Sequence, residues 1–203
     1  MIQRDAIEKL VQQVLDGTEF KLKVDAYRLE EILKEGKAKL HCEVHHEQTG
    51  EKKIIDGEGV GIIDAFFHGL VNMYSEEYPS LTTIRFVDFS VKANLDTARE
   101  SVRSDSTAVV SLTVANSEGK DYVFEDSSPS TSRSSINVVL QAAEFFMNCE
   151  RAFIAVYRAL QHAREENRAD SVSLYTSQLA TLVEATSYSE VIEQIREELK
   201  TNG

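Results

Sequence analysis

Two stretches of this chain repeat the same order of elements, and that repetition restricts the fold more than any other feature of the sequence. Each stretch has two strand-like segments joined by a turn, then a loop of small residues, then an apolar helix. In the first stretch apolar and polar residues alternate, which is typical of a strand with one buried face; the apolar positions are Ala38, Leu40, Cys42 and Val44. The pattern predicts an α+β protein whose antiparallel sheets are backed by helices.

The two predicted units are of unequal length. The first contains strands at 38–45 and 52–56, a helix at 62–74 and a further strand at 81–95 with a break near Asp88. The second contains strands at 107–115 and 120–125 and a helix at 137–168. Two such strand–strand–helix units predict a duplicated core with pseudo-twofold symmetry. The predicted helix at 137–168 would extend about 48 Å. Because this is long for one domain, we expect part of it to pack on a partner or on the C-terminal helices.

Helical periodicity predicts further elements at both ends. Residues 2–16 are amphipathic and end at Gly17, residues 172–186 have an apolar face, and a capping box at 187–190 begins a last helix. Residues 26–34 are ambiguous between a short helix and an irregular strand. The predicted division is an N-terminal helix over 1–17, a core over 18–165 with repeats at about 36–95 and 105–165, and a helical extension over 166–203.

The composition excludes several classes of protein. The chain has 203 residues and a formal net charge of −12, which argues against a protein that binds the phosphate backbone of nucleic acid. No apolar run approaches the roughly 18 residues of a membrane span, and charged residues interrupt the N-terminus, so no signal peptide is predicted. Cys42 and Cys149 are expected to be reduced thiols in a cytoplasmic protein. Met1 and the helix that follows it suggest a free-standing protein.

No residue pattern predicts a catalytic or metal centre. His41, Glu43 and His45 would share one face of a strand. Nothing elsewhere supplies a clear further ligand, so a solvated strand face is favoured over a metal site. Neither cysteine has a nearby set of His and Asp, and no serine lies in a Gly-x-Ser-x-Gly motif. We therefore predict a non-enzymatic protein that needs no metal or cofactor.

The run GEGVGIIDAFFHGL at 57–70, followed by RFVDF at 85–89, resembles the C-terminal regulatory domain of α-isopropylmalate synthase and citramalate synthase. In that family a Gly-x-Gly-Pro-Val-Asp-Ala turn leads into a helix, and a strand with an Asp-Tyr pair follows. The family's second half has a Ser-x-Asp-Ile-Ile loop leading into a helix, matched more loosely here by SINVV at 135–139. The resemblance covers about residues 36–160. The catalytic barrel that precedes this domain in the family has no counterpart in the chain.

The resemblance implies a domain that dimerises and binds leucine or isoleucine near the interface between its two halves. Carried over to this sequence, the ligand-binding residues lie at the starts of two helices: Gly59, Gly61, Ile62, Asp64, Ala65, Ser132, Arg133, Ser135 and Asn137. Backbone N–H groups at the glycines would approach the ligand carboxylate. Asp64 would bind the ammonium group, and Arg133 would pair with a carboxylate.

Each of these residues also has a purely structural interpretation. The glycines would form a tight turn that needs positive φ, Asp64 would cap its helix, and Arg133 would lie in a polar loop without a ligand. The cap is the favoured interpretation of Asp64. Two departures from the family pattern weaken the ligand interpretation, because Ile62 stands in place of the usual Pro and Asn137 in place of the usual Asp.

The sequence therefore predicts a non-catalytic module that senses a branched-chain amino acid, dimerises, and acts in trans on a separate catalytic synthase. The alternative is a structural protein that has lost effector binding and serves as an oligomerisation scaffold. A homodimer is expected in both cases, with no nucleic-acid or membrane partner.

Overall fold

The computed structural model of the protein describes residues 2–93, 107–183 and 185. Within these residues lie two three-stranded antiparallel sheets and four α-helices. The predicted α+β class, with antiparallel sheets backed by helices, is confirmed. The first helix, α1 (Ile2–Leu15), is followed closely by Gly17, which has the positive φ of 80° expected just past a helix end.

The first sheet contains β1 (Leu22–Ile32), β2 (Lys37–His46) and β3 (Lys52–Gly59) in that spatial order. β2 buries the four alternating apolar residues that the sequence singled out. The ambiguous segment 26–34 belongs largely to β1. A bulge between Val24 and Ala26 interrupts the alternation of this strand, which explains why its period was not recognised. Helix α2 (Ile62–Tyr74) follows β3 and packs on β3 and β2.

The second sheet contains β4 (Arg85–Ala93), β5 (Ala108–Ala115) and β6 (Asp121–Ser128) in that order. The break expected near Asp88 is a bulge between Phe86 and Asp88. One grouping is corrected, because the strand assigned to the end of the first unit pairs with β5 and belongs to the second sheet. Each half therefore has three strands followed by a helix, and a short 3₁₀-helix (Pro79–Thr82) separates the halves.

Helix α3 (Thr131–Glu165) follows β6 and begins six residues earlier than predicted. The Ser130 hydroxyl accepts a hydrogen bond from the Arg133 N–H at 3.3 Å and so caps the helix. The helix is followed by α4 (Ala169–Val183), which packs back on it as expected for the excess length. The last helix predicted, beginning at 187–190, lies outside the described residues.

The centre of the protein is α3. Its side chains between Ser134 and Phe153 are mostly buried, because α1, α2, β5, β6 and α4 all pack on it. Buried residues of both halves form one continuous cluster. Cys42 and Cys149 are free thiols inside this core, and burial raises the pKa of both. No helix in the described ranges combines the length and apolarity needed to cross a bilayer.

Polar side chains of α3 fix the segments that lead into both sheets. The Asn148 side chain accepts from the Phe20 N–H at 2.6 Å and donates to the Phe20 carbonyl at 2.9 Å. Glu144, one turn earlier, accepts from the Leu22 N–H at 2.7 Å. Glu150 accepts from the Ser80 N–H at 3.1 Å, just before β4. These bonds satisfy backbone groups that no strand partner reaches.

Burial raises the pKa of two of these carboxyl groups. The pKa of Glu144 rises to about 7, because desolvation outweighs the hydrogen bond from Leu22. The pKa of Glu150 is also raised by desolvation, against the opposing effect of the hydrogen bond from the Ser80 N–H. Folding therefore shifts the titration of each group towards higher pH than that of an exposed glutamate.

The Glu144→Gln substitution tests this burial through the pH dependence of stability. The folded-state pKa lies above the ordinary 4.5, so Glu144 contributes stability at low pH that is lost as pH rises towards about 7. Gln keeps an acceptor for the Leu22 N–H without titrating. Between about pH 5 and about pH 8, the variant should gain roughly 2 kcal/mol in free energy of unfolding relative to the wild type.

Urea unfolding of both proteins at the two pH values measures this difference. Glu150 titrates in both proteins, so its contribution cancels in the comparison. If the free energy of unfolding changed equally in both proteins between the two pH values, the raised pKa of Glu144 would be contradicted.

Candidate functional site

The glycines before α2 allow this helix to lie directly on β3. A Cβ atom on Gly57 would overlap the carbonyl oxygen of Ala65, and one on Gly59 would lie 2.5 Å from the Ala65 nitrogen. Gly69 makes the reciprocal approach from the helix, since its Cβ would lie 2.6 Å from Cγ2 of Ile55. The glycine spacing is thus required by backbone packing between strand and helix.

The positive-φ interpretation of these glycines is wrong. The described glycines with positive φ are Gly17, Gly36, Gly50 and Gly119. Gly61 is the N-cap of α2 and is extended, with φ −164°. Its Cβ would meet no atom within 4 Å, so this position has open space in front of the helix.

The carboxylate of Asp64 lies at the start of α2. It accepts from the Val60 N–H at 3.0 Å, and its other oxygen is 3.5 Å from Nε2 of His68. These contacts are those of a capping side chain, as favoured from the sequence. Ala65 is fully buried, whereas Ile62 is partly exposed. Open backbone and a partly exposed carboxylate therefore lie side by side at this helix start.

The serine-rich start of α3 is an ordered set of hydrogen bonds. The Ser134 hydroxyl donates to Asp126 at 2.6 Å, and the Ser135 hydroxyl donates to the Thr131 carbonyl at 2.9 Å. Both serines are buried, and Ser132 is partly so. Asn137 lies in the second turn of α3, which corrects its predicted place at the start of this helix.

Arg133 and Asn137 border a groove beside β1. The groove has a volume of about 530 Å³ and is completed by Ile136, Leu140 and residues 22–27. Arg133 is exposed and Asn137 partly buried. The sequence did not indicate that β1 forms the opposite wall, although its alternating Phe20–Val24 start was a usable signal.

The predicted site residues form two clusters. A second groove of about 640 Å³ is bordered by Gly57, Glu58, His68 and Asn72 of β3 and α2 together with residues of β1 and β2. None of the predicted ligand residues at the α2 start borders it, although His68 lies 3.5 Å from Asp64. Arg133 and Asn137 border the first groove, so of the two helix starts only that of α3 lies directly beside one of these two grooves.

Two of the three histidines of β2, His41 and His45, are paired with aspartates on the solvent-facing side of the first sheet. Nδ1 of His41 lies 2.7 Å from Asp56, and Nδ1 of His45 lies 2.9 Å from Asp25. Within the described residues, no group of three or more His, Cys, Asp or Glu side chains could hold a metal ion.

Apolar side chains at one sheet edge have no covering helix among the residues that the structure describes. Phe89 and Val91 of β4 lie opposite the buried Leu112 and Val110 of β5 and so share their face. Helix α3 packs on β5 and β6, and the exposed fractions of Phe89 and Val91 are 43% and 44%. No local sequence pattern indicates this feature, because it depends on which strands the helix covers.

Two antiparallel sheets packed around a central helix, with two surface grooves and an exposed apolar strand edge, define an α+β module. The chain matches the LeuA allosteric (dimerisation) domain over residues 1–147, and it belongs to that family. The resemblance drawn from 57–70 and 85–89 is thereby confirmed. The match includes α1 and ends within α3. A comparison with individually curated proteins gives no match.

Alanine substitutions at the glycines test the close packing of α2 on β3. Gly57→Ala places a methyl group against rigid backbone and should lower the free energy of unfolding by about 3 kcal/mol. Gly61→Ala is the matched control, because its Cβ enters open space; it should cost less than about 1 kcal/mol. Urea unfolding measures the free energy of unfolding of both variants. Equal losses in the two variants would contradict the close packing of α2 on β3.

Proposed function

We propose that this protein is a non-catalytic, cytoplasmic sensor of a branched-chain amino acid that acts as a homodimer on a separate catalytic synthase. The observation that carries the proposal is the family match over residues 1–147. The family description names allosteric and dimerisation roles, and the groove that Arg133 borders lies at the start of α3, where N–H groups and the helix dipole favour a carboxylate.

The ligand residues proposed from the sequence include partners for both charged groups of an amino acid, the carboxylate and the ammonium group. Gly59, Gly61 and Ile62 offer backbone to the carboxylate, while the nearby Asp64 offers a partner for the ammonium group. At the other helix start, the exposed Arg133 suits a carboxylate, and Ile136 and Leu140 give the groove apolar surface. The roles of Ala65, Ser132, Ser135 and Asn137 are to shape these helix starts.

Calorimetric titration with leucine, isoleucine and valine tests the sensing function. At least one should bind the wild-type protein. Arg133→Ala should weaken that binding about tenfold, the usual effect of losing a charged hydrogen bond. Arg158→Ala is the control, since Arg158 is an exposed arginine farther along the same helix. Absence of heat with all three amino acids would overturn the sensing function.

For the dimer, we propose that the β4 edge is part of the contact between two copies. Phe89 and Val91 would bury the apolar surface that α3 leaves uncovered, which favours association. Charged residues are scarce on this face of β4, whereas the outward face of the first sheet pairs Lys39 with Glu58 and His41 with Asp56.

Phe89→Asp should raise the dimer dissociation constant at least about tenfold, because a carboxylate would be desolvated in the contact. Val123→Asp is the matched control. Val123 is 43% exposed but pairs with Thr113 on the opposite face of the same sheet. Sedimentation equilibrium measures the dimer dissociation constants of both variants. An unchanged constant for Phe89→Asp would rule out the β4 edge as part of the dimer contact.

The second candidate function is an oligomerisation scaffold without an effector. The Pro-to-Ile62 and Asp-to-Asn137 departures favour it, as does the engagement of Asp64 and Ser135 in local hydrogen bonds. A dimer that forms normally but gives no heat with any branched-chain amino acid would support this candidate over the sensor.

A further inference from the structure

A separate cavity lies where α1, β6 and α3 meet, and it shares no lining residue with either of the two grooves. It has a volume of about 180 Å³. Val11 of α1, Phe124 of β6 and Phe145 of α3 give it an apolar wall, and the two aromatic rings are 5.7 Å apart between centroids. A cavity of about 150 Å³ is enough for a benzene-sized group.

Arg4 closes one side of this cavity but is already engaged. Its Nε lies 2.8 Å from Glu8, another of its nitrogens donates to the Val123 carbonyl, and its guanidinium lies 4.6 Å from the centroid of the Phe124 ring. The cation is therefore neutralised and held in place by the protein itself. An anionic ligand would have to displace these contacts.

Glu144 lines the opposite side and is only partly engaged. One oxygen accepts from the Leu22 N–H, and the other has no hydrogen-bond partner among the described residues. Desolvation by the surrounding protein disfavours the ionised carboxylate. The other charged groups around the cavity are Glu8 of α1 and Glu19 and Lys21 of the segment before β1. None of them makes an ion pair with Glu144 in the described structure, although the charge of Lys21 lowers the pKa of Glu144 and the charge of Glu47 raises it, both less than desolvation does.

We propose that this cavity binds a small organic cation, a primary ammonium group carried on a compact apolar body. The ammonium group bonds to the free oxygen of Glu144, and the body packs on Val11, Phe124 and Phe145. The ligand supplies a cation that bonds directly to this partly buried carboxylate, and its apolar part packs on the apolar wall. This site is independent of the proposed amino-acid grooves.

Titration of the full chain with benzylamine tests the proposal. At about pH 8 Glu144 is ionised, since its pKa is about 7, and benzylamine should shift the amide resonance of Leu22. Benzyl alcohol has the same shape without the charge and should bind at least about tenfold more weakly. Benzoate should not bind. Equal binding of the alcohol, or preferred binding of benzoate, would overturn the proposal.

Two variants separate direct contact from general electrostatics. Glu144→Gln keeps an acceptor for Leu22 and should weaken benzylamine binding at least about tenfold, whereas Glu19→Gln, which removes a cavity-lining charge, should change it less than about twofold. Equal losses in the two variants would overturn the contact. Arg133→Ala should leave benzylamine binding unchanged, so failure of the amino-acid sensor and failure of this site give different results.

Discussion

The hydrogen bonds from α3 to the backbone before each sheet determine where both halves of the fold lie. Asn148 and Glu144 bind the segment entering β1, and Glu150 binds the segment before β4. Because all three belong to one helix, the position of α3 sets the start of both sheets. The buried carboxyl groups carry a desolvation cost, which the backbone bonds only partly offset. Apolar packing around α3 supplies the remaining stabilisation.

The local elements with a clean period were predictable, and those with an interrupted period were not. β2 shows strict alternation along its length, so its buried residues could be named from the sequence. β1 contains a bulge after Val24, and its outward face carries several charges, so neither simple pattern fits it. The start of α3 was placed too late because serines are poor helix formers, although Ser130 is a good cap.

The candidate site was found by motif, but its geometry required the tertiary structure. The glycines at 57 and 59 were correctly singled out, yet their reason is the approach of the α2 backbone rather than an unusual φ. The pairing of Arg133 with a β1 wall depends on how α3 lies beside the first sheet. Likewise, no local pattern shows that α3 leaves β4 uncovered. Contacts between distant segments are the part of the site that sequence periodicity does not encode.

The bonds between Phe20 and Asn148 also constrain the order in which the chain can fold. They join residues separated by 128 positions, and closing so long a loop has a large entropic cost that must be met before the contact forms. β1 to β3 are synthesised well before α3, so the first sheet can form its own ladders early but cannot dock until the ribosome has passed residue 148. A chain that ended before residue 148 would therefore contain all three strands of the first sheet but neither of the bonds that fix the segment before β1.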